Sequence, residues 1–150
     1  MKKIMLGLFL ILGAMSFAAP KFVDMAKVKN AGYVIKNERE DILTMAISDD
    51  DSAIIISFST ANISSKEISD LLKSNALRNS ENFIATLDNN RAYINEFEAQ
   101  GFYSYMIVPK KEKVKNQHTY ATYVSSKKLS KNDLSKITNA ILDEAESYIK

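Results

Sequence analysis

The chain has 150 residues, a formal net charge of +2, one histidine and no cysteine. Without cysteine there is no disulfide framework and no lipid anchor through an N-terminal cysteine, and one histidine leaves any transition-metal site to rest on carboxylates. The length suits one domain, and a chain of this size buries roughly two-thirds of its unfolded surface, enough to stand on its own core.

Residues 1–18 read as a secretory signal. Met1-Lys2-Lys3 is the positive start, Ile4 to Ala14 the apolar run, and Ser16-Phe17-Ala18 offers small residues where a signal peptidase reads them. Cleavage after Ala19 is disfavoured, because it would put Phe17 in a small pocket and Pro20 at the scissile bond. The apolar run falls short of the ~18–20 residues a spanning helix needs, so no transmembrane anchor is expected after processing. The expected product is a periplasmic or secreted bacterial protein, residues 19–150, folded as a single α+β domain. Losing Lys2 and Lys3 from 20 basic residues leaves 18, equal to the 18 acidic ones. That balance is uneven along the chain, for Lys110 to Lys136 holds eight lysines against Glu112 and Asp133.

Lys21–Asn30 places Phe22, Met25 and Lys29 at helical spacing, yet is short enough for an irregular lead-in. Gly32 then opens a strand over Tyr33–Lys36, Asn37 to Asp41 supplies a turn, and Ile42–Ser48 is a second strand. Asp49-Asp50-Asp51-Ser52 turns into Ala53–Thr60, where Ile54, Ile55, Ile56 and Phe58 put bulk on both faces, the mark of a covered central strand. Ser64-Ser65-Lys66-Glu67 is a capping box, opening a helix whose apolar face is Ile68, Leu71, Leu72 and Asn75 and which Asn79-Ser80 ends.

From Glu81 to Ser125 the pattern is a meander of four strands, Asn82–Leu87, Arg91–Glu98, Phe102–Val108 and Gln117–Ser125. Asp88-Asn89-Asn90, Gln100-Gly101 and the lysine-rich Pro109–Lys115 separate them. Phe102–Val108 is apolar on both faces, whereas Arg91–Glu98 reads as nearer an edge, with Glu96 and Glu98 on an exposed face. Ser130 caps a closing helix with Asp133 in its first turn and Leu134, Ile137, Ile141, Ala145 and Tyr148 as a continuous stripe. The expected fold class is α+β, an antiparallel β-sheet of about seven strands in the order β-β-β-α-β-β-β-β-α, flanked by helices on both sides.

That element order, over Ala31–Lys150, resembles the PsbP-like fold of extrinsic photosystem proteins and small exported bacterial proteins. The resemblance rests on the order and the long closing helix. It implies a non-enzymatic accessory or assembly role and carries over no functional residue.

The chemistry-bearing residues are few. His118, on the last strand, reads as structural or solvated. Asp49-Asp50-Asp51 lacks the spacing, glycine and terminal glutamate of a calcium loop, and reads as a hairpin turn. With only Gly32 and Gly101 in the mature chain, neither a phosphate-cradling loop nor a Gly-x-Ser-x-Gly elbow exists. Two groups are binding candidates, set against the ordinary readings of core tyrosines with hydroxyls at the sheet's rim and of a solvated lysine tip. Tyr103, Tyr105, Tyr120 and Tyr123 lie on adjacent strands and pair apolar bodies with polar tips. Lys110, Lys111, Lys113 and Lys115 crowd one hairpin tip, where an exported protein meets anionic lipid or acidic glycan rather than nucleic acid. The expected function is a non-enzymatic envelope binding or accessory module, without cofactor or metal, whose partner is an envelope protein or an anionic envelope component. The alternative is an envelope hydrolase using carboxylates such as Glu96 and Glu98.

Overall fold

A computed structural model describes residues 18–150. The signal-peptide reading lies outside the described residues, Ala18 excepted. The elements are α1 (Met25–Asn30), β1 (Val34–Arg39), β2 (Ile42–Ser48), β3 (Ser52–Thr60), α2 (Ser65–Arg78), β4 (Asn82–Leu87), β5 (Ala92–Ala99), β6 (Phe102–Pro109), β7 (Gln117–Ser125) and α3 (Lys131–Ser147). The strands form one antiparallel sheet in the order β1-β2-β3-β7-β6-β5-β4. Two meanders, β1–β3 and β4–β7, thus meet at a β3–β7 seam that runs from Ser52↔Ser125 to Thr60↔Gln117. The α+β class and the strand count are as expected from the sequence.

Side-chain alternation divides the core. Leu43, Met45, Ile56, Phe58, Ala121, Tyr105, Ile107 and Ile94 point to one face and pack with Leu134, Ile141, Leu142, Ala145 and Tyr148 of the closing helix. The opposite face receives α2, whose Ser69 Oγ accepts a hydrogen bond from Asn95 at 3.0 Å. Helices therefore cover both sides, and β3 carries Ile55 to one and Ile56 to the other. Burying Leu134 and Ile141 contributes about 1.5–3 kcal/mol each, an upper figure because unfolded chains are already partly compact.

The helix starts form as the sequence dictates. Glu67 N–H donates to Ser64 Oγ at 3.2 Å while Glu67 Oε2 accepts from the Ser64 N–H at 2.7 Å. Ser130 Oγ likewise accepts from the Asp133 N–H at 3.1 Å. The β5–β6 turn needs its glycine, because Gln100 and Gly101 both have positive φ, 54° and 83°, as a two-residue hairpin turn of the primed kind demands.

Several expectations change. The lead-in contains a short helix, α1, capped by Asp24. Val23 bridges to Ile149 and Val28 is fully buried, so the first described residues and the C-terminal residues close one side of the core. Asn37, Glu38 and Arg39 are strand rather than turn. A register shift between Ile35 and Asn37 lets these polar residues continue an edge strand. Pro109 is the last residue of β6. On α2, Leu71 is 54% exposed and the buried face is Ile68, Ser69 and Ala76, because the helix lies across β5 and β6 at a different rotation. Most consequential is β5: it lies second from the edge, near it as expected, yet Ile94, Asn95, Glu96 and Phe97 are all buried. Glu96 is not on an exposed face.

Candidate functional site

One end of the sheet gathers the start of α2, the finish of α3 and the loop from β6 to β7. A small cleft of about 40 Å³ opens there, lined among others by Ser65, Lys111, Lys113, Gln117, His118 and Glu146. The loop does not simply project. Lys113 Nζ pairs with Glu146 Oε2 at 2.9 Å, and Lys110 Nζ stands 5.6 Å from the centre of the Tyr93 ring. Lys66, at the start of α2, approaches the same ring at 5.9 Å, so two ammonium groups from separate elements share one aromatic. Among the described residues Lys110, Lys111 and Lys115 have no salt-bridge partner. Lys66 is engaged by Asp70, and Arg91 by Asp143 and Glu146.

His118 anchors this end. Its side chain is 2% exposed, its Nδ1 stands 3.5 Å from Glu112 Oε1, and its Nε2 lies 3.0 Å from the Ala61 carbonyl oxygen. A protonated Nε2 donates to that carbonyl, and Nδ1 pairs with Glu112 only when it carries a proton as well. A general base must reach its nucleophile with a ring nitrogen, and here one nitrogen is committed to backbone and the other faces a carboxylate. The second oxygen of Glu112 accepts from the Asn116 N–H at 3.2 Å, and Asn116 adopts φ 65°, which closes the turn.

The four tyrosines do not form one cluster. Tyr105 and Tyr123 are cross-strand neighbours, ring centres 6.5 Å apart, on the face beneath α3, and Tyr103 shares that face. Tyr120, an odd number of residues from Tyr123, points to the opposite face beside Ser57. Tyr105 is fully buried; its hydroxyl accepts from the Leu129 N–H at 2.8 Å. Burial, with the Glu96 carboxylate nearby, pushes that hydroxyl up to about 12. Burial also pushes the Tyr120 hydroxyl up, partly offset by Ser57 and Ser59. The hydroxyls of Tyr105 and Tyr120 are thus engaged by the fold, while Tyr103 and Tyr123 are half-buried.

Glu96 sits in this tyrosine layer with Oε1 buried and without a hydrogen-bond partner, and Lys128 Nζ is 3.9 Å from it. Glu98 does not join it in a catalytic pair: its oxygens accept from the Gly101 N–H at 3.0 Å and from Asn82 at 3.3 Å. Burial pushes the Glu81 carboxyl up, against a hydrogen bond from Ser104 at 3.1 Å. Asp49 is a turn residue, its Oδ1 accepting from the Asp51 and Ser52 N–H groups, which hold its carboxyl below the usual range. Among the described residues no group of His, Asp or Glu is placed to hold a metal ion, and no helix is long and apolar enough to cross a membrane.

Local sequence reading found the lysines but missed Lys66, Tyr93 and Glu146, which come from remote segments and carry no signal until the sheet brings them together. Compared with known proteins, the chain matches no family model, no curated protein and no solved structure.

Proposed function

We propose that this protein is a non-enzymatic binding or accessory module of the bacterial cell envelope, exported to the periplasm or beyond, which engages an anionic envelope component through its β6–β7 loop. One observation carries the reading. Three lysines of a single short loop, Lys110, Lys111 and Lys115, lack salt-bridge partners among the described residues, while the loop's own acid, Glu112, is turned inward to His118. With Lys113 paired to Glu146, the loop presents the charge of these three lysines at its surface. The PsbP-like element order supports an accessory role in the same direction.

The test of place is the intact mass of the exported protein, expected to begin at Ala19; a chain retaining residues 1–18 contradicts export with cleavage. The test of binding is retention of the mature chain by anionic vesicles and by an acidic polysaccharide in rising salt. Retention of one or both at low salt, lost at high salt, supports the proposal, and no retention removes it.

A second reading, an envelope hydrolase using carboxylates, is favoured by the unpartnered oxygen of buried Glu96. A carboxylate held out of water is a recurrent catalytic device. Against it, Glu98 is committed to its turn and to Asn82.

A further inference from the structure

The apex of the lysine loop is apolar. Val114 is 51% exposed and lies between Lys113 and Lys115. It is held there by backbone and side chain: the Gln117 N–H donates to the Val114 carbonyl at 3.1 Å, and Glu112 spans the turn to the Asn116 N–H. With Glu112 Oε2 bound to the Asn116 N–H and Oε1 lying beside buried His118, the apex is presented by a turn closed on itself.

We propose that this apex docks on an anionic phospholipid surface, with Val114 entering the headgroup layer and Lys110, Lys111 and Lys115 meeting phosphates around it. The inference deepens the anionic reading given above and rests on it. Charge alone would suit a lipid surface or an acidic glycan. The valine distinguishes them, because only a bilayer offers hydrocarbon directly beneath its anionic layer. A solvated polysaccharide gives an exposed valine nothing to enter. Lysines on such a tip suit the role, since their stems reach past apolar neighbours while their ammonium groups stay at the charged surface.

The chain contains no tryptophan, so Val114→Trp supplies a single reporter at the apex, and Leu71→Trp, at a 54% exposed position on α2, supplies a control away from it. Each mature variant is mixed with vesicles of mixed anionic and zwitterionic phospholipid, with purely zwitterionic vesicles, and with an acidic polysaccharide. The expected result is a blue shift and quenching by brominated acyl chains for Val114→Trp on anionic vesicles only, with Leu71→Trp unchanged. Val114→Asp should weaken vesicle binding by roughly tenfold and leave any polysaccharide binding unaltered. Vesicle binding without a shift at position 114, or undiminished in Val114→Asp, overturns insertion. Binding to the polysaccharide but not to vesicles overturns the lipid assignment and leaves the anionic reading standing. Binding to neither ends both.

Discussion

Glu112 Oε1 faces the buried His118 ring at 3.5 Å, and this contact couples the most basic loop of the protein to the interior of its sheet. The other ring nitrogen is tied to Ala61, in the segment that leads from β3 into α2. One side chain therefore braces two connections at the same end of the molecule. Replacing it by leucine should leave the Ala61 carbonyl without this donor and Glu112 without its neighbour.

We expect His118→Leu to lower stability by about 1–2 kcal/mol in denaturant unfolding. Amide exchange at Asn116 and Gln117 should accelerate more than exchange in β5. Unchanged stability together with unchanged exchange at these amides would show that His118 does not brace the loop.

A second tether responds to alkali. Glu144 Oε1 accepts hydrogen bonds from Tyr33 at 2.9 Å and Tyr148 at 2.8 Å, joining the lead-in to β1 with the end of α3. Burial first, and then Glu144, push the Tyr148 hydroxyl up to about 12, and the same causes raise Tyr33 further. Because the folded state holds these protons more tightly, their contribution is full below the ordinary tyrosine value near 10 and is lost as pH rises from there towards about 12. The melting temperature should fall across that window, and Tyr148→Phe should make the fall shallower. Parallel profiles for the two proteins would contradict the assignment.

The pair of Glu96 and Lys128 should respond asymmetrically. Lys128 is 55% exposed at its side chain and Glu96 only 4%, so removing the lysine strands a buried carboxylate, whereas neutralising the glutamate leaves a solvated ammonium. Lys128→Met should therefore destabilise by about 1–3 kcal/mol and Glu96→Gln by less. Denaturant midpoints measured side by side give the order, and the reverse order would mean that Glu96 has compensation other than Lys128.

The elements most legible in sequence were those whose signals are local. The Ser64 and Ser130 caps, the Ile54-Ile55-Ile56 run and the Gln100-Gly101 turn each depend on a few adjacent residues, and each forms as read. Glu96 was misplaced because a charge at period two normally marks a solvent face; nothing nearby in the chain announces that Lys128 and the tyrosine layer will enclose it. Leu71 was assigned to a buried face for a related reason: several rotations of α2 satisfy the same spacing, and only the sheet chooses among them. The candidate site was half visible. Its lysines stand in one loop, but Lys66, Tyr93, His118 and Glu146, which shape their surroundings, come from four other elements.

The central claim is that the lysine loop carries anionic recognition, and the most direct measurement is vesicle co-sedimentation of the mature chain and of a variant with Lys110, Lys111, Lys113 and Lys115 changed to Gln. At low ionic strength the unmodified chain should sediment with anionic vesicles. Raising salt from about 0.1 M to 1 M shortens screening from ~10 Å to ~3 Å and should release it. The quadruple variant, with its circular dichroism unchanged, should remain in the supernatant throughout. Binding that persists in high salt, or in the quadruple variant, would contradict the account.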